Sequence, residues 1–104
     1  MLNGKQKRYL RSLAMKQRAT MQVGKAGITE AVIKQLQNEI EKNELLKISL
    51  LQNTVVEPAE VQVEIQATDA TIEFVQKIGR NMVFYKRATE PKNRNISAHV
   101  GKLK

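Results

Sequence analysis

The run Leu45-Leu46-Lys47-Ile48-Ser49-Leu50-Leu51 constrains this chain more than any other stretch. Its alternation through Leu46, Ile48 and Leu50 marks a strand that is well buried on at least one face. Helical periodicity flanks it on both sides. Upstream, Thr29 is placed to cap a helix, with Glu30 just inside to complement the dipole. Val32, Ile33, Leu36 and Ile40 then follow the 3.6-residue period, Glu39 and Glu41 fall on the wet side, and Asn43 is suited to a left-handed close. Downstream, residues 52–57 read as a connection, and Pro58 suits the first turn of another helix running to about Thr68. That helix has a thinner stripe, Val61, Ile65 and Thr68, with Val63 off to the side and Asp69 as its stop. Strands separated by helices need crossover connections, which makes the sheet partly parallel.

The ends of the chain complete the pattern. Asn3 and Gln6 form a capping-box pair at the start of a first helix. Gln6, Leu10, Leu13 and Ala14 gather on one side of it, while Lys5, Lys7, Arg8, Arg11 and Lys16 spread over the rest. Met21 to Val23 is a short strand. Thr71 to Ile78 and Met82 to Arg87 are rich in β-branched and aromatic residues, and Gly79-Arg80-Asn81 between them indicates a hairpin. From Ala88 onward the expectation is a mobile basic tail. The fold class predicted is α+β: a compact αβαβαββ domain over residues 1–88 with a mixed four-stranded sheet and three helices, followed by a flexible tail over 89–104.

Composition narrows function. A chain of 104 residues with 41% apolar content and no cysteine fits one small aliphatic-cored domain in a reducing cytoplasm. No apolar run approaches the ~20 residues of a membrane span, and the N-terminus lacks a signal-peptide core, so a soluble protein is expected. Catalysis fares badly. The single histidine, His99, falls in the expected tail, and Glu57, Glu60 and Glu64 at helical spacing read as a solvated face. No enzyme activity, cofactor, metal or small-molecule substrate is expected.

Charge points elsewhere. The net charge is +8, but residues 1–27 carry +7 without one acid, residues 28–76 carry −6, and residues 77–104 carry +7. Two basic ends that combine into one surface would suit a polyanion. Gly24-Lys25-Ala26-Gly27 sits between the Met21–Val23 strand and the helix after Thr29. It lacks the Gly-Lys-Ser/Thr of a phosphate-binding P-loop and the third glycine of a dinucleotide fingerprint. What remains is a two-glycine loop of the kind that clamps nucleotide backbones, or a turn that needs glycine only for its φ angles. Arg80 at the hairpin tip, with Lys77, Lys86 and Arg87, offers further cations, or merely guards an edge strand. Few aromatics are present, so stacking is expected to contribute little.

Four blocks now resemble a known family: residues 4–14 (GKQKRYLRSLA), 22–32 (QVGKAGITEAV), 44–48 (ELLKI) and 75–86 (VQKIGRNMVFYK). They are similar to the CRM domain, the YhbY-like proteins of chloroplast RNA splicing and ribosome maturation. The resemblance implies a fold similar to the C-terminal domain of translation initiation factor three. It also implies RNA binding through Gly24, Lys25, Ala26 and Gly27, with Lys5, Lys7, Arg8, Arg11, Arg80 and Lys86 as the basic surround. Short bacterial members are associated with precursors of the large ribosomal subunit, which makes ribosomal RNA the expected partner. Other structured RNAs (tRNA, intron RNA), or an acidic protein docking on the basic face, are the alternatives. The family often has glycine before the third strand, where this chain has Asp69-Ala70-Thr71.

Overall fold

The computed structural model describes residues 2–52, 54 and 56–103. The elements run α1 (Gly4–Lys16), β1 (Met21–Val23), α2 (Glu30–Asn43), β2 (Leu45–Leu50), α3 (Pro58–Thr68), β3 (Glu73–Ile78) and β4 (Asn81–Tyr85). A 3-10 turn (Pro91–Asn93) and a short helix, α4 (Asn95–Val100), follow. The αβαβαββ order and the mixed four-stranded sheet are those expected from the sequence. The sheet order is β1-β2-β4-β3, with β1 parallel to β2 and the other pairs antiparallel.

β2 lies inside the sheet and is buried on both faces. Leu46, Ile48 and Leu50 join Met21, Val23, Met82 and Phe84 beneath α2 and α3, where Leu36, Ile40, Val61 and Ile65 meet them. Leu45, on the other face, joins Val83, Tyr85 and Val75 beneath α1 and α4, where Leu10, Ala14 and Val100 close the second core. Burial of each such side chain contributes about 1.5–3 kcal/mol, so the layered arrangement follows from the Leu/Ile pattern of this strand. Lys47 breaks the run for a reason. Its ammonium donates to the carbonyls of Ala14 (3.2 Å) and Gln17 (3.1 Å), neutralising the negative end of α1.

The helix caps form as the residue types require. Asn3 Oδ1 accepts the Gln6 N–H at 2.8 Å while Gln6 Oε1 accepts the Asn3 N–H at 2.9 Å. Thr29 Oγ1 accepts the Val32 N–H at 3.2 Å. Between α3 and β3, Asp69 Oδ1 accepts from both the backbone N–H and the hydroxyl of Thr71, at 2.9 and 2.6 Å, which forms an Asx turn.

Three features depart from the sequence reading. The left-handed residue closing α2 is Glu44 (φ 66°), not Asn43, which is the last helical residue. The hairpin loop is Gly79-Arg80 alone, with glycine at positive φ (59°) in the first central position and Ile78 paired with Asn81. And the segment expected as a flexible tail over 89–104 is described as far as residue 103, where it folds back as the 3-10 turn and α4, with Ile96 and Val100 packed into the core beneath α1. Glu44 accounts for that departure. Fully buried, its carboxylate accepts the N–H groups of Ala88 (2.8 Å), Ile96 (3.0 Å) and Ser97 (3.0 Å), and also the Ser97 hydroxyl. Such charge-assisted bonds offset the roughly 1–2 kcal/mol that a side chain pays in the left-handed region.

Candidate nucleic-acid interface

The Gly24–Gly27 loop leaves the end of β1 and turns tightly: the Gly27 N–H donates to the Gly24 carbonyl at 3.0 Å. Gly27 is buried at φ 69°, and a β-carbon there would meet Val56 Cγ1 at 3.3 Å. Lys25 and Ala26 are exposed at the tip. The roles within the motif therefore divide. Gly27 shapes the turn and its amide is already engaged, while Lys25 and Ala26 are what the loop presents.

The hairpin tip arrives at the same end of the sheet. Leu50 and Leu51 stand between the two motifs: the Leu51 N–H donates to Val23 O (2.9 Å) and the Leu50 N–H to Arg80 O (2.8 Å). Arg80 does not project freely, as a bare hairpin tip would have it. Its Nε donates to Leu50 O (3.1 Å) and its Nη2 to Leu51 O (3.2 Å), while the residue as a whole stays exposed. The side chain ties the hairpin to the end of β2 and keeps its positive charge at the loop edge.

The other cations divide as well. Lys86 is removed from the candidate surface: its side chain is only 16% exposed, and its ammonium lies 3.5 Å from both Glu41 and Asp69 carboxylates. Lys7 is half-buried and borders a groove with Gln62, Gln66 and Phe74. Lys5, Arg8 and Arg11 are exposed on α1. The N-terminal end of α1 lies at the far end of the sheet from the loop, because Leu2 N donates to Glu73 at the start of β3, which pairs with Tyr85 and so lies level with Leu45. The tertiary structure does not bring Lys5 and Arg8 beside Lys25. It brings the C-terminal segment to them instead.

The carboxylates near these cations are structural. Glu41 accepts the N–H groups of Thr89 (2.8 Å) and Glu90 (3.1 Å), which with Lys86 hold its carboxyl down at about 2. Asp69 is also lowered, first by the Thr71 hydroxyl and then, among smaller contributions, by Lys86. Burial pushes the Tyr85 hydroxyl up, opposed by its hydrogen bond with Ser97. Among the described residues no cluster of three or more His, Cys, Asp or Glu could hold a metal.

One pair escaped sequence reasoning. His99 packs on Tyr9 with ring centroids 4.3 Å apart at 32°. The signal available was the spacing of Ile96 and Val100, one helical turn apart, which marks a helix with a buried side.

Residues 2–86 match the CRS1 / YhbY (CRM) domain. The chain belongs to this family. The CRM match covers all four strands and ends just before the segment held by Glu44. This CRM protein is 41% identical over 92 residues to "Probable RNA-binding protein YqeI" of Bacillus subtilis (strain 168), covering 88% of this chain and 95% of that one. It is also similar to the solution structure of the Staphylococcus aureus protein SAV1595, for which RNA binding has been suggested. That likeness has a TM-score of 0.64 at 43% identity and covers 91% of this chain and 98% of the other.

Proposed function

We propose that this CRM protein binds RNA without catalysis, in the cytoplasm, and assists assembly of the large ribosomal subunit by contacting its ribosomal RNA. The observation that carries the reading is that the Gly24–Gly27 loop, with Lys25-Ala26 at its tip, and Arg80 stand at one end of the sheet, on either side of Leu50-Leu51, from positions more than fifty residues apart. A loop tip with a lysine and a tethered guanidinium suits two or more phosphates of a folded backbone, which are read by shape rather than base sequence. The relatives described as RNA-binding point the same way. The acid-free α1 lies on the sheet face opposite α3, which carries Glu60 and Glu64, so the layers differ in charge. An anionic strand is guided toward one side.

Ultraviolet crosslinking in cells, followed by sedimentation and sequencing of the bound RNA, tests this. The expected result is large-subunit ribosomal RNA recovered from precursor particles. Recovery of tRNA or intron RNA alone would overturn the ribosomal part, and protein crosslinks without RNA would overturn the whole.

A further inference from the structure

Segment 88–103 lies beyond the family match, yet it is fastened from both ends. Glu44 takes the first N–H groups of α4, which has no side-chain cap of its own. At the other end, Gln6 Nε2 donates to Val100 O (3.0 Å) and Asn3 Nδ2 to Leu103 O (3.2 Å). Val100 is buried and Ile96 packs beside it, so the core does not need His99. His99 is nevertheless exposed, in contact with Tyr9, at the rim of a shallow hollow of about 460 Å³. Lys5, Arg8, Ser12 and Leu103 also line it, and among these described residues there is no carboxylate side chain.

Lys5, Arg8, Tyr9 and Ser12 recur at helical spacing, so α1 presents two cations, a ring and a hydroxyl on one face. α4 adds the second ring. Two tilted rings in contact give a π surface, and stacking of a base on aromatic side chains tolerates any base because all four have a π face. Cations beside such a surface neutralise the phosphates on either side of a stacked base. A hollow of this size falls within the range of small-molecule sites, ~300–1,000 Å³, and accommodates one nucleotide.

We infer that the Tyr9–His99 pair is a docking place for one unpaired nucleotide of an RNA strand, with the base on the rings and the flanking phosphates on Lys5 and Arg8. The inference rests on the RNA-binding reading above but concerns a different site. The hollow stands at the end of the sheet opposite the Gly24–Gly27 loop, a strand length of about 15–20 Å away. It therefore selects RNA in which a folded backbone carries a single-stranded extension or bulge.

The test is a nuclear magnetic resonance titration of the full chain with the single-stranded hexanucleotide UAUAUA at low salt, following the His99 and Tyr9 ring protons. Both rings are expected to shift upfield, and His99→Ala is expected to weaken hexanucleotide binding about tenfold. His99→Phe, which keeps a ring without a charge, restores binding. His99→Lys, which supplies a positive charge without a ring, does not. Unmoved ring resonances, unchanged affinity in His99→Ala, or rescue by His99→Lys each overturn the inference. Displacement of the hexanucleotide from the rings by an acidic peptide, bound there more tightly, overturns it in favour of a protein partner. Loss of ribosomal-RNA binding in Lys25→Ala with full hexanucleotide binding in His99→Ala removes this site and leaves the loop reading standing. A parent chain that binds neither RNA removes both.

Discussion

Glu44, at the C-cap of α2, accepts the backbone N–H of Ser97 at 3.0 Å across 53 residues of chain. The same carboxylate takes Ala88 and Ile96, so one buried acid joins the end of α2 to the start of α4. Glu44→Ala is expected to lower the unfolding free energy by about 3 kcal/mol, since several buried donors lose their acceptor together. Glu44→Gly loses the same bonds but relieves the left-handed backbone, and should be about 1 kcal/mol less harmful. Urea unfolding of the two variants measures the difference, and amide exchange at Ile96 and Ser97 reports whether α4 has come loose.

Glu41 supplies a second tether whose pH dependence can be given a sign. Its carboxyl is held down from 4.5 to about 2, chiefly by the Thr89 and Glu90 amides. A depressed carboxyl stabilises the fold fully above its unfolded value and loses that contribution as pH falls through its folded value. Anchoring of residues 89–90 is therefore intact at neutral pH and weakens between about pH 4.5 and 2. Asp69, also lowered, follows in the same direction. Carbon-13 titration of the glutamate carboxyls should place the Glu41 midpoint near 2, and Glu41→Gln should remove the acid-induced loosening of Thr89.

The loop separates shape from charge. Gly27→Ala places a β-carbon at φ 69° and 3.3 Å from Val56 Cγ1, and should cost about 1–2 kcal/mol of stability. Lys25→Ala should leave the melting temperature unchanged while weakening RNA binding. The salt slope, log K against log[salt], should become shallower by about 0.7–0.9 for the one lost phosphate contact. A Lys25→Ala protein with the parental slope would mean that the loop is only a turn.

Arg80 and Lys86 differ in what they give up. Arg80→Ala should lose about 1–2 kcal/mol of stability because two carbonyls at the end of β2 lose a charged donor, and it should weaken RNA binding as well. Arg80→Lys restores charge without the fork and should recover binding more than stability. Lys86→Met should cost up to about 1 kcal/mol and leave RNA affinity unchanged, since Lys86 pairs with Glu41 and Asp69. Thermal melts paired with filter-binding curves at one salt concentration separate the three.

Local sequence was enough for most of the fold. The alternation of Leu46, Ile48 and Leu50, the caps at Asn3 and Thr29, and Pro58 at the start of α3 each act within one turn or one strand, and each formed as their chemistry requires. The α4 segment was not legible in the same way. It is six residues long, and its N-terminal partner is an acid 52 residues away, outside any local window. The side on which Ile78 lies was equally hidden. A bulge between Phe74 and Gln76 shifts the register of β3, and Ile78 ends 60% exposed beside Met15.

For the candidate site, residue type and spacing determined which groups are cationic, where the chain turns, and that Gly24-Lys25-Ala26-Gly27 opens a helix. Only the tertiary structure decided which of those cations stay available. Arg80 is held by backbone carbonyls, Lys86 is neutralised by two carboxylates, Lys47 caps α1, and Lys5 and Arg8 meet His99 rather than Lys25. The physical reason is one of range. Helix period, capping and turn chemistry operate over a few residues, whereas the partner of a charge is set by whichever donor or acceptor the packed sheet and helices place within about 3 Å of it.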